Sequence, residues 1–142
     1  MKKLSLCLFL TLSLFVINSF AQDLFQKGIE QYSAKQYDQA IVTFQQVIAQ
    51  SPTNYAAFYN LGLSYYSLTR FDEAIGSFQQ SIKIKPDYTR AYIYLGNALD
   101  LSNRYNEAVI AYNKALQLEP NNASAYYELG VAHKLQKKYL EA

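Results

Sequence analysis

Residues 55–88 read YAAFYNLGLSYYSLTRFDEAIGSFQQSIKIKPDY, and the next 34 residues, 89–122, read TRAYIYLGNALDLSNRYNEAVIAYNKALQLEPNN. Laid over one another, they place the same residue classes at the same positions: Gly62 over Gly96, Phe71 over Tyr105, Ala74 over Ala108, Phe78 over Tyr112 and Pro86 over Pro120. The register continues upstream through Gly28, Tyr37, Ala40, Phe44 and Pro52 and downstream through Gly130, Tyr139 and Ala142, always at a spacing of 34. Five independent residue classes on one period mark an internal repeat. The units run 21–54, 55–88, 89–122 and, incompletely, 123–142.

Each unit reads as two helices. In the second, Tyr55 to Leu68 carries Phe58, Leu61, Gly62 and Tyr65 at helical spacing, and Phe71 to Lys83 carries Ala74, Ile75, Phe78 and Ile82 likewise. Pro52-Thr53-Asn54, Pro86-Asp87 and Pro120-Asn121-Asn122 end one helix pair and offer Asx or hydroxyl N-caps to the next. The small residues have a packing reason: Gly62, Ala74 and their 34-shifted equivalents, Gly130 included, let the paired helices approach closely. The fold class expected is all-α, a solenoid of antiparallel helix pairs.

Leu61-Gly62, Tyr65, Ala74, Phe78 and Pro86 follow the pattern of the tetratricopeptide repeat, and the chain resembles that family from about residue 22 to its end. The family's tryptophan position holds Leu24, Phe58, Tyr92 and Tyr126, and unit one has Lys27 and Gln31 where the family has Leu and Tyr. The resemblance implies a right-handed superhelix of three full repeats and a partial fourth. A related RNA-binding family with a period of 35 is disfavoured by the period of 34 and by the prolines.

Ahead of the repeats, Lys2 and Lys3 precede an apolar run from Leu4 to Ile17, followed by Asn18-Ser19-Phe20-Ala21. That order, with Ser19 and Ala21 at the small-residue positions, is the order of a secretory signal peptide cleaved after Ala21. The run is shorter than the roughly 20 apolar residues of a membrane span; an uncleaved anchor is the alternative. Cys7, the only cysteine, falls inside it, so the exported part holds no disulfide. Of 13 Lys and Arg, 11 remain beyond residue 21, against 11 Asp and Glu. A formally neutral domain gives no electrostatic reason to bind nucleic acid. The expected location is periplasmic or secreted.

The fourth unit stops four residues into its second helix. Either the sequence is part of a longer array or helix A of that unit, Ala123 to Lys137, closes the stack.

Positions 5, 9 and 12 of helix A cluster on one side at 100° per residue, opposite the hairpin contact. In the family that side lines the concave groove. Here it carries Phe25, Ile29 and Tyr32; Tyr59, Leu63 and Tyr66; Ile93, Asn97 and Asp100; Tyr127, Val131 and Lys134. This predicts an aromatic, mostly uncharged groove, although Tyr32, Tyr59, Tyr66 and Tyr127 serve equally well as packing between adjacent A helices. Some family members clamp a peptide carboxylate with Lys, Asn and Arg. Of the matching positions only Asn60 and Arg90 suit that role, and Phe25, Ile29 and Tyr94 do not.

Chemistry has few candidates. His133 is the only histidine and the five glycines are dispersed, so the residues offer no Cys-His pair, His-rich zinc site or phosphate loop. Asp72 and Glu73 are adjacent at the start of a helix, where they suit its dipole. The reading is a non-enzymatic scaffold without cofactor or metal, whose partner is a protein or peptide held in the groove. The alternatives are an architectural subunit of an envelope assembly or homo-oligomer, or an accessory module of a longer protein.

Overall fold

The computed structural model describes residues 22–140; the expected signal segment 1–21 and the residues Glu141 and Ala142 lie outside them. Seven helices make up the regular structure of the described residues: α1 (22–33), α2 (Tyr37–Gln50), α3 (Tyr55–Ser67), α4 (Phe71–Ile84), α5 (Thr89–Leu101), α6 (Tyr105–Leu118) and α7 (Ala123–Leu140). The boundaries expected for α3 and α4 agree to within one residue. No helix among the described residues is long and apolar enough to cross a membrane.

Consecutive helices pack as antiparallel pairs. The centre of each pair is a ring set against a glycine: Phe44 at Gly28, Phe78 at Gly62 and Tyr112 at Gly96, each ring fully buried. Ala40, Ala74 and Ala108, also fully buried, keep the facing helix equally bare. Gly130 departs from the expectation, with nothing within 4 Å of where its side chain would start, because no second helix lies against it among the described residues.

The turns inside the pairs are closed the same way three times. In the second repeat the Thr69 N–H donates to the Tyr66 carbonyl and the Arg70 N–H to the Tyr65 carbonyl, both at 3.0 Å. This is a Schellman motif, which requires a left-handed residue and usually employs glycine. Here the residues are Lys35, Thr69 and Asn103, with φ of 60°, 59° and 61°. A β-branched side chain is poorly suited to that region, whereas asparagine visits it readily. Thr69→Asn is therefore expected to stabilise the fold by about 1 kcal/mol, read as a rise of a few degrees in a thermal melt.

Two expectations about helix ends need correction. Asn54 and Asn122 cap α3 and α7, their Oδ1 atoms accepting from Ala57 and Ala125 N–H at 3.0 Å. Asp87 does not cap α5: the N-cap residue is Tyr88, without a side-chain cap bond. Its ring instead meets those of Tyr55 and Tyr59 edge-on, with centroids 5.1 and 5.0 Å away. The fourth unit, expected to end its first helix at Lys137, runs on as one helix to Leu140. A left-handed lysine there would cost free energy that the other turns recover by packing a second helix, and α7 has none among the described residues.

Alternate helices decide the curvature. Besides the neighbouring pairs, α3 touches α5 and α5 touches α7, whereas α2, α4 and α6 do not touch one another. The odd-numbered helices are thus drawn together on the inner side and the even-numbered ones spread on the outer side.

Candidate functional site

Tyr94 organises the inner face. Its ring lies 5.8 Å from Tyr59, 6.1 Å from Tyr66 and 6.0 Å from Phe78, joining α3, α4 and α5 through aromatic contacts. Offset and edge-on pairs of this kind contribute roughly 0.5–1.5 kcal/mol each beyond simple burial. Two cavities open along the inner face, one on either side of this ring cluster.

The first, of about 280 Å³, is lined by Tyr59, Arg90, Ile93, Tyr94, Asn122 and Ser124. Tyr59 is only 7% exposed and its hydroxyl is pushed upward from the ordinary tyrosine range by burial and by the neighbouring Tyr94 and Tyr88. Its ring therefore serves the packing role left open above, while its edge still borders the cavity. Ile93 is buried too, and exposed Arg90 supplies the positive charge.

The second cavity, of about 210 Å³, is lined by Tyr66, Asn97, Asp100, Leu101, Tyr112, Glu128, Val131 and Leu135. Here the single Tyr112 hydroxyl proton is shared between Asn97 Oδ1 at 2.7 Å and Asp100 Oδ2 at 3.0 Å. Burial is the main cause that raises the Asp100 carboxyl; Glu128 adds to it and the Tyr112 hydrogen bond opposes it. Burial likewise raises the Tyr66 hydroxyl, with Glu128, Tyr94 and Asp100 adding to it.

The remaining candidates are placed less centrally. Half-buried Phe25 sets its ring 5.8 Å from Phe44, and Ile29 and Leu63 lie against the core. The Tyr32 hydroxyl is 3.3 Å from Ser67 Oγ, a contact between repeats, and its ring is 5.4 Å from Tyr37. Asn60 turns its amide back on its own helix, Nδ2 donating to the Ala56 carbonyl at 2.8 Å. Tyr127 is 70% exposed.

Sequence reasoning left Tyr94 and Glu128 out of the groove. Both stand at position 6 of helix A, as Asn60 does, only 60° around the helix from position 9. With Arg90 at one cavity and Asp100 and Glu128 at the other, the inner face carries more charge than expected. Tyr126, at the family's tryptophan position, is 56% exposed because no further helix covers that side of α7 among the described residues. His133 Nδ1 lies 3.4 Å from Gln136 Oε1 on the exposed side of α7. Glu73 forms an ion pair with Arg70 at 2.7 Å at the start of α4, and its carboxyl is lowered first by that hydrogen bond.

A tetratricopeptide-repeat family model matches residues 25–89, and a second model, for the TPR repeat, matches residues 101–137. The chain belongs to the tetratricopeptide-repeat family. Three solved tetratricopeptide-repeat domains illustrate how far the likeness extends. The first TPR of Spaghetti (RPAP3), bound to the HSP90 peptide SRMEEVD, is 28% identical with a TM-score of 0.80, over 82% of this chain and 93% of that one. The first TPR domain of human RPAP3 is 27% identical with a TM-score of 0.82, over 86% and 96%. The TPR domain of Arabidopsis OM64 is 25% identical with a TM-score of 0.78, over 82% and 96%. No curated protein is similar enough to match the chain.

Proposed function

We propose that this tetratricopeptide-repeat protein is a non-enzymatic scaffold of the cell envelope, exported by residues 1–21, which holds a segment of another protein along the inner face of α3, α5 and α7. The observation that carries this reading is the contact of α3 with α5 and of α5 with α7, which gathers Tyr59, Tyr66, Arg90, Ile93, Asn97 and Asp100 around two adjoining cavities. An aromatic surface with a few polar groups suits recognition, since tyrosine gives large contact area for few rotatable bonds. The RPAP3 relative bound to the HSP90 peptide SRMEEVD supports this reading, since the same fold there holds a peptide. A carboxylate clamp of the Lys-Asn-Arg kind is not favoured here, because Asn60 is turned to its own backbone and only Arg90 remains available.

The test is capture from envelope extract on the full-length tagged chain, beside an Arg90→Glu/Tyr127→Ala variant of the inner face and an Ile110→Glu variant of the outer one. All three substituted residues are exposed, so circular dichroism should give equal helicity. Loss of a partner from the inner-face variant alone is expected; loss only from the outer one would refute the groove. A second reading, an architectural contact through α7, is favoured by its open Gly130 face and exposed Tyr126. It predicts that Tyr126→Ala, rather than the groove variant, disrupts the assembly.

A further inference from the structure

Asp100 is 9% exposed, yet among the described residues its Oδ1 is the only buried side-chain nitrogen or oxygen without a hydrogen-bond partner. An unsatisfied buried carboxylate oxygen is expensive, and native folds keep few of them. The tyrosine–asparagine–aspartate arrangement would be as well served by a neutral acceptor, because all that Tyr112 asks of residue 100 is one oxygen. A carboxylate there brings a charge that its own hydrogen bonds do not require.

The groups facing this carboxylate come from four helices, Tyr66 from α3, Asn97 from its own α5, Tyr112 from α6 and Glu128 from α7, and none from α4. No lysine or arginine lines the cavity. Two acidic groups, an amide and two tyrosines around about 210 Å³ form a receptacle for a planar cation. We infer that this cavity is a subsite for an arginine side chain of the segment bound in the groove, and so the inference rests on the groove reading above. A guanidinium offers five donors in one plane, lies flat on aromatic rings and is more weakly hydrated than an ammonium, so it enters a half-closed site at lower cost than lysine. Its donors reach Glu128 and the Asp100 carboxylate, whose closed-off Oδ1 turns toward the cavity to meet them, while the stem lies along Val131 and Leu135.

The test uses blocked arginine (N-acetyl-L-arginine methylamide) and its neutral isostere, blocked citrulline, titrated into the full-length chain by amide chemical-shift mapping. Blocked arginine should give saturable shifts confined to residues 97–101 and 128–135, with citrulline at least tenfold weaker. Asp100→Asn and Glu128→Gln should each weaken arginine by tenfold or more while leaving the helix content intact. The melting temperature separates a ligand site from a merely structural aspartate. Since the folded state raises this carboxyl, the native chain holds more protons between its unfolded and folded pKa values, and stability falls as pH rises across that interval. Asp100→Asn should abolish that fall, and saturating blocked arginine should reverse it in the wild type. Equal binding of citrulline, unchanged affinity in both variants, or shifts elsewhere would overturn the subsite. If the envelope partner is lost from Arg90→Glu/Tyr127→Ala but kept by Asp100→Asn, the groove stands and the subsite falls. A partner kept by every inner-face variant removes both.

Discussion

Gly62→Ala is expected to destabilise the domain by about 3 kcal/mol, a large part of the 5–15 kcal/mol that holds a typical domain together. A methyl group at that position would stand 2.6 Å from Cε1 and 2.7 Å from Cδ1 of Phe78, closer than real Cβ contacts come. Neither side has room to yield. Phe78 is fully buried, with Tyr59 and Tyr94 rings 5.9 and 6.0 Å away, and Gly62 is in the middle of α3. The helix pair has to separate, although alanine by itself is a better helix former by about 1 kcal/mol. Gly76→Ala is the internal control: its position in α4 opens on empty space, so there the propensity gain survives. Urea titrations of the two variants should move the midpoint in opposite directions. Equal midpoints would mean that the pair tolerates separation at no cost.

Phe78→Ala should cost about 3–5 kcal/mol, the range for deleting a buried phenylalanine. The ring touches glycine on one side and the Tyr59 and Tyr94 rings on the other, so its loss opens a cavity bordered by rigid aromatics that collapse poorly. In the double variant Gly62→Ala/Phe78→Ala the new methyl enters the space that the ring vacated. Its destabilisation is expected to fall short of the sum of the singles by 1 kcal/mol or more, as contacting residues couple by about that much. Additivity within the error of a denaturant titration would contradict the ring-on-glycine contact.

Much of this architecture was legible because each packing unit is written three times. That Gly28, Gly62 and Gly96 sit at close helix contacts could be read from spacing, whereas the rings of Phe44, Phe78 and Tyr112 that meet them could not. Where a repeat departs from its neighbours, spacing misled: Tyr88 occupies the position that Asn54 and Asn122 use as a cap, and turns it to aromatic packing. The inner face was legible as a set of residues but not as a surface. Helical angles place Tyr59, Ile93 and Asp100 inward, yet how deeply each is covered depends on the next helix, reached through the superhelical rotation. Glu128 was missed for the same reason, since it becomes a neighbour of Asp100 only when α7 lies beside α5. The signal that would have found it was the helix position it shares with Tyr94 and Asn60.

The contact of each helix with only its nearest and next-nearest neighbours has a kinetic side. Such a chain closes no long loops as it folds, so ordering can begin in any pair and spread, and it can be lost from an end without melting the middle. Among the described residues α7 is held by α6 and α5. It also forms a wall of the Asp100 cavity, through Glu128, Val131 and Leu135. A ligand that bridges α5 and α7 therefore acts as a latch between these two helices, and slower amide exchange throughout α7 would be the footprint of occupancy.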